Sequence, residues 1–317
     1  MSTPLPPPII VVAGPTASGK SALALDVACE FGGCVINADS MQIYSELHVL
    51  TARPSAQDMA QAPHRLYGIL SAHDVCSADR WARLAAAEIA DCRAHGLIPV
   101  VTGGTGLYLR ALIDGLSPMP AIPDDVRLRT RALLAEVGNE RFHTLLAERD
   151  PAIASHLNVG DSQRLARAFE VFEASGQSIL YWQARPANRV VEGRFLTIVI
   201  EPPRPLLYEG IERRFDVMMS CGALAEVRGL LATRPPADAP LMKALGVPEL
   251  AAHLRGDISL DEAITKAKQM TRNFAKRQCT WFKGQIISNK LVGTQYSESL
   301  RHEIFALVRQ FLLTTAH

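Results

Sequence analysis

The octapeptide GPTASGKS, Gly14 to Ser21, carries the most explicit chemistry in the chain, because Gly14-x-x-x-x-Gly19-Lys20-Ser21 has the spacing of a phosphate-binding loop. Within it Pro15, Thr16, Ala17 and Ser18 are the residues whose backbone must curl. Small residues let several N–H groups aim at one anion, and a helix starting inside the loop adds its positive end. Lys20 supplies a point charge, and the Ser21 hydroxyl is a candidate Mg2+ ligand. The motif says phosphate and is silent on the reaction.

Two groups belong with the loop. Asp39 ends the apolar stretch CVINAD (34 to 39), at the edge where open α/β sheets bind ligands. Taken alone, it serves equally as a metal ligand, a helix cap or a general base. Thr105, in VVTGGTGLYLRAL (100 to 112), stands where a nucleotide hydrolase more often has an aspartate for metal. A GGTG turn is ordinarily only a turn, yet this hydroxyl can donate to an oxygen leaving with the phosphates.

A third signal is charge. ITKAKQMTRNFAKRQCTWFKG (264 to 284) holds six basic side chains and no acidic one. Arg272 and Lys276 share a helix face, Arg277 lies beside them, and Trp281 and Phe282 are interleaved. A basic helix is most often a solvated face, but this combination also suits a nucleic acid backbone with stacked bases.

These groups need a scaffold. IIVVAG (9 to 14), CVINAD, IPVVTGG (98 to 104) and FLTIVIE (195 to 201) read as buried parallel strands, alternating with helical patterns such as SADRWARLAAAEIADCRAHG, which Ser77 or Asp79 caps and Gly96 ends. The fold class is α/β, a parallel sheet of the phosphate-loop type flanked by helices. PMPAIPDD, from Pro118, breaks this texture, and three helical patterns follow without a strand. The expected organisation is a core of 1–117 and 195–290, an all-helical insertion of 118–194, and a tail of 291–317 that carries no usable motif.

Composition narrows the partners. The 317 residues are 48% apolar and 21% charged, and 33 basic side chains nearly balance 32 acidic ones, so a polyanion site must be a local patch. Six cysteines without metal-type spacing fit reduced thiols. MSTPLPPP is not a signal sequence, and no apolar run reaches bilayer-spanning length. The expectation is a cytoplasmic monomer with no membrane association and a frayed N-terminus.

Taken together, GPTASGKSALA, NADSMQIY, TARP, APHRLYGIL, VVTGGTGLYLRALIDGLSP, DSQRLARAFEVFEASG and TRNFAKRQCTWF resemble the bacterial tRNA dimethylallyltransferases, in order over roughly 9 to 284. The resemblance implies transfer of a dimethylallyl group from dimethylallyl diphosphate to the exocyclic N6 of the adenine 3′ to the anticodon, with Mg2+ and release of diphosphate. It implies Asp39 as the base and Thr105 as the contact where diphosphate departs. It also implies tRNA contacts at Asp39, Ser40, Met41, Gln42, Thr105, Arg127, and Gln163, Arg164, Leu165, Ala166 and Arg167, with Arg272, Lys276 and Arg277 gripping the stem. The sequence departs from the family twice. The familiar GTAKP stands here as Leu50-Thr51-Ala52-Arg53-Pro54, and MKALGVPEL (242 to 250) keeps Gly246 but lacks the aromatic and arginine of the usual VGYR.

Two other classes compete. A small-molecule kinase would use the same loop and bring mobile arginines, which Arg127 and Arg131 could mimic. A nucleotide-switched RNA-binding protein needs an aspartate after the IPVV strand, where Gly103-Gly104-Thr105 stand instead.

Overall fold

A computed structural model describes residues 5–314 of the chain. The first four residues of the proline-rich start therefore lie outside the described residues, as do 315–317. Strands β1 (Pro8–Ala13), β2 (Gly33–Asn37), β3 (His64–Arg65), β4 (Ile98–Gly103), β5 (Arg194–Ile200) and β6 (Lys290–Val292) form one sheet in the order β3-β2-β4-β1-β5-β6. Every pairing is parallel. Ile9 to Ala13 are wholly buried, as a central strand covered on both faces requires. The two edge strands are short, so they lack the apolar run that announces a strand.

Helices α1 (Lys20–Phe31), α2 (Ala56–Gln61), α3 (Ala78–Ala94) and α4 (Gly106–Ile113) follow the first strands. Next come α5 (Asp124–Arg149), α6 (Pro151–Ala154), α7 (Ser162–Ser175) and α8 (Ile179–Gln183). After β5 come α9 (Arg204–Ser220), α10 (Ala223–Ala232), α11 (Val247–Arg255), α12 (Leu260–Gln285) and α13 (Arg301–Leu313).

The chain divides into two compact units, one running through Ile113 and resuming at Val190, the other Asp114–Arg189. The second is helical and has its own core, in which Phe142, Leu146, Leu165, Phe169 and Val171 pack. Gly138, at φ +71, interrupts α5 with non-helical backbone.

In the first unit, one side of the sheet is covered by α1 and α13. Ile10 and Val12, two apart and so on one face of β1, join Leu23, Ala24 and Val27 of α1 and Ile304 and Val308 of α13 in a single cluster. Helix α3 starts at Ser77, whose side chain accepts from the Arg80 N–H, and buries Trp81, Ala85, Ile89 and Cys92. Trp81 stacks on Tyr108 of α4 at 4.6 Å and donates its Nε1–H to the Asn37 carbonyl at 2.8 Å, which anchors the end of β2. Removing so large a buried ring costs about 3–5 kcal/mol.

The two departures from the family pattern meet in space. The loop at 50–54 takes its positive φ at Ala52 (+54) and not at Leu50, so a glycine is not required at 50. Leu50 instead packs beside Gly246, where an added Cβ would lie 3.1 Å from its Cδ1 and 3.2 Å from the Phe215 ring. Gly246, at φ +89, is the N-cap of α11. Arg53 turns inward: its Nη1 donates to the Tyr44 and Ser45 carbonyls at 3.4 and 3.2 Å, and a Cβ on Gly68 would strike its guanidinium.

Candidate active site

The carboxyl ends of β1, β2 and β4 adjoin because these strands are neighbours, and their following loops carry the three reactive segments. After β1 the phosphate loop doubles back, so that the Lys20 Nζ donates to the Pro15 carbonyl at 3.2 Å. Gly14 is required by proximity, since a Cβ there would lie 2.5 Å from the Ile200 carbonyl oxygen of β5. Gly19, at φ +89, begins α1 in the left-handed region. Ser18 is wholly buried and its Oγ has no partner among the described residues.

The loop is held from outside by two residues not expected at the site: Gln278, which lies within the TRNFAKRQCTWF segment, and Arg214, which no motif marks. Gln278 of α12, almost fully buried, accepts from the Thr16 N–H through Oε1 at 2.9 Å and donates through Nε2 to the Gly104 carbonyl at 2.7 Å. One carboxamide therefore ties the phosphate loop to the GGTG turn. Its signal in the sequence is a glutamine on the buried face of α12, otherwise lined by Ala263, Ala267, Thr271, Ala275 and Cys279. Arg214 of α9 donates through Nη2 to the Thr16 hydroxyl, and nothing in the local sequence of α9 separates it from Arg213.

The charges interact. Burial pulls the Lys20 ammonium down to about 8, with Asp39 opposing that fall and Arg214 adding to it. Burial also lowers Arg214, again against Asp39. Two cations and one carboxylate thus share a partly desolvated site, an arrangement that a bound anion would relieve. Burial and then Asp39 raise the Tyr67 hydroxyl, which stays a proton donor. Around these groups are two cavities, of about 470 Å³ beside Lys20, Arg213, Arg214 and Gln295, and of about 450 Å³ beside Ser21, Tyr67 and Tyr296.

Asp39 is set by an Asx turn. The buried Asn37 accepts from the Asp39 N–H at 2.8 Å and donates to the Asp39 and Leu66 carbonyls, both at 3.0 Å. Asp39 Oδ1 accepts from the Met41 N–H at 2.9 Å, which leaves Oδ2 to receive a proton. Thr105 docks on the same loop. Its N–H donates to the Ala38 carbonyl at 3.2 Å, and its hydroxyl accepts from the Ser40 N–H at 2.9 Å and donates to Ser40 Oγ at 3.2 Å. Close approach makes this possible, since a Cβ on Gly103 would sit 2.2 Å from the Ala38 backbone.

Other expected contact residues are distributed unevenly. Gln42 spends its Nε2 on the Thr51 and Ala52 carbonyls at 2.8 and 2.9 Å. In the helical unit, Arg127, Gln163 and Arg164 are exposed, while Ala166 and Arg167 are half-buried. Leu165 is the exception and corrects the expectation of an RNA contact there: it has no exposed surface because it fills the core of its unit. On α12, Arg272 is paired with Glu212 and Lys268 with Asp216, both on α9, whereas Lys276 and Arg277 are exposed. The aromatics of that run differ in exposure, Phe274 and Trp281 being half-buried. Phe282 is buried, and the Trp281 ring lies against Gly106, where a Cβ would come within 2.2 Å of it.

Comparison with known proteins agrees with this geometry. Residues 42–285 match the family model described as IPP transferase, a stretch that stops short of β6 and α13. The chain is 54% identical over 307 residues to a tRNA dimethylallyltransferase of Paramagnetospirillum magneticum, covering 97% of this chain and 98% of the relative. It is 48% identical to one of Rhodospirillum rubrum, covering 100% and 98%. Among solved structures it is similar to a tRNA isopentenylpyrophosphate transferase of Staphylococcus epidermidis, with TM-score 0.68, 31% identity, and 96% and 99% of the two chains covered. A eukaryotic dimethylallyltransferase acting on tRNA shares the fold at TM-score 0.79 with 24% identity, over 96% and 79%. This chain belongs to the IPP transferase family.

Proposed function

We propose that the protein transfers the dimethylallyl group of dimethylallyl diphosphate to the exocyclic N6 of the adenine 3′-adjacent to the anticodon in a subset of tRNAs, releasing diphosphate. The observation that carries this reading is the Gln278 carboxamide, which locks a phosphate loop to a turn bearing Thr105 where a phosphoryl-transfer enzyme would carry a metal aspartate.

In this reading the bond from the allylic C1 to the bridging oxygen breaks as the N6–C1 bond forms. Its electron pair stays with the diphosphate. The loop N–H groups, Lys20 and Arg214 stabilise that charge more in the transition state than in the bound substrate. The amine of adenine is a poor nucleophile whose proton becomes acidic as the new bond forms, and Asp39 Oδ2 takes that proton. Thr105 orients the Asp39 loop by accepting from the Ser40 N–H, and its hydroxyl proton, which rests on Ser40 Oγ in the free protein, is redirected to the departing oxygen.

Among the described residues no cluster of three or more His, Cys, Asp or Glu side chains could hold a metal alone. The single Ser21 hydroxyl would suit Mg2+, a cation that needs few protein ligands because it dehydrates reluctantly. When bound, Mg2+ would neutralise part of the diphosphate charge.

The tRNA is proposed to meet the protein through its anticodon stem–loop, with Asp39, Ser40, Met41 and Thr105 around an extruded adenine. Arg127, Gln163, Arg164 and Arg167 supply further contacts, and Lys276 and Arg277 reach the phosphates. The protein is proposed to act as a monomer in the cytoplasm. Among the described residues, no helix is long and apolar enough to cross a membrane. The test is incubation with dimethylallyl diphosphate labelled in the prenyl group and bulk tRNA. Label in RNA at N6 of that adenine is the expected result, and ATP turnover without labelled RNA would refute it.

A further inference from the structure

The segment that follows α12 has no readable motif, yet it touches the phosphate loop at three points. The Tyr296 N–H donates to the Ser18 carbonyl at 3.2 Å, and the Gln295 Nε2 donates to the Ala17 carbonyl at 3.4 Å. A Cβ on Gly19 would lie 2.9 Å from the Tyr296 Cβ, so chain and loop are in van der Waals contact. Ala17, the first of these points along the loop, has φ +64, a left-handed conformation that a non-glycine residue adopts at a cost of about 1–2 kcal/mol. The loop thus contains strain, and the neighbouring chain supplies the bonds that hold it.

The segment is itself anchored. The Tyr296 hydroxyl donates to Asp26 Oδ2 at 2.6 Å, and Arg301 clasps the same carboxylate with Nε and Nη2, each at 2.8 Å. Asp26 lies on α1, the helix that the loop begins. Behind it, α13 packs Ile304 and Val308 into the cluster that holds Leu23, Ala24 and Val27. The segment also partitions the site, with Gln295 facing the cavity beside Lys20 and Tyr296 facing the cavity beside Ser21.

We propose that residues 295–301 are a strap that presets the phosphate loop for diphosphate, with Tyr296 as its positioning residue and Asp26 and Arg301 as its anchor. The strap touches no reacting atom. It acts by keeping the Ala17 and Ser18 carbonyls turned away from the anion, so that the loop N–H groups face it. The proposal rests on the reading that this loop holds the diphosphate of the prenyl donor.

The experiment uses the full chain and the variants Tyr296→Phe, Arg301→Ala and Arg301→Lys. It measures the dissociation constant for inorganic diphosphate, then kcat and both KM values with dimethylallyl diphosphate and tRNA. Removing one anchoring bond in Tyr296→Phe, or the two of Arg301 in Arg301→Ala, should weaken diphosphate binding and raise the donor KM by about threefold to tenfold. The KM for tRNA and kcat should stay within about twofold, and Arg301→Lys should recover part of the loss. Unchanged diphosphate binding in both variants overturns the proposal. So does a drop in kcat and in both affinities that merely tracks a lower melting temperature. If the wild-type chain binds diphosphate but labels no tRNA, the functional reading fails while the strap is still judged by the diphosphate titration.

Discussion

The carboxamide of Gln278 accepts the N–H of Thr16, 262 residues away in sequence, and returns a hydrogen bond to the Gly104 carbonyl. A buried amide used in both directions has one orientation, so it sets the distance between the phosphate loop and the turn that carries Thr105. Replacing Gln278 by Ala leaves a buried donor and acceptor unmet, and stability should fall by about 1–3 kcal/mol. Gln278→Glu should be worse for binding, because an acceptor then opposes the Gly104 carbonyl and a negative charge faces the anion site. Thermal melting and calorimetric titration with inorganic diphosphate measure the two effects. Native diphosphate affinity in Gln278→Glu would show that this side chain does not shape the loop.

Asp39→Asn keeps the acceptor for the Met41 N–H and removes the base. Turnover should drop by about a hundredfold or more. Diphosphate and tRNA binding should survive, as separate equilibrium measurements would reveal. A variant that labels tRNA near the wild-type rate would exclude Asp39 as the base.

Before any anion binds, burial holds the Lys20 ammonium down to about 8. A bound diphosphate favours the charged form, so binding takes up a proton: the contribution of Lys20 is complete below pH 8 and is lost as pH rises through it, by up to about tenfold per unit. Arginine at this position stays charged throughout. The affinity of the wild type for inorganic diphosphate, divided by that of Lys20→Arg and measured in chelator from pH 7 to 9.5, should therefore decline with pH. A flat ratio would contradict a depressed Lys20.

The basic residues of α12 should separate in a salt titration of tRNA binding. Removing one side chain that neutralises a phosphate lowers the slope of log affinity against log salt by about 0.7 to 0.9. Lys276→Ala and Arg277→Ala should each lower it, since both side chains are exposed. Arg272→Ala, whose guanidinium is already paired with Glu212, should leave the slope unchanged. The reverse ranking would mean that RNA displaces the Glu212 pair.

Short-range signals make much of this protein legible. The phosphate loop, the four long apolar strands and the α/β class follow from residue types at fixed spacing, because glycine curvature and buried-strand composition are local properties. The edge strands β3 and β6 are invisible in the sequence, since two or three residues at a sheet edge need no apolar run. Leu165 shows the opposite difficulty. Its motif groups it with the expected RNA contacts on either side, but the period of α7 turns it into the core.

What only the tertiary structure decided is which distant groups meet. Arg214 is one arginine of an adjacent pair, and Gln278 and Tyr296 sit in segments whose sequences do not mention phosphate. Their roles arise because α9, α12 and the chain after β6 are packed against one loop. The sequence on its own determined a phosphate-loop pattern and which carboxylate and hydroxyl are expected beside it. Long-range packing decided what holds the loop, for the physical reason that hydrogen bonds between residues some 200 to 280 positions apart leave no periodicity in the chain that makes them.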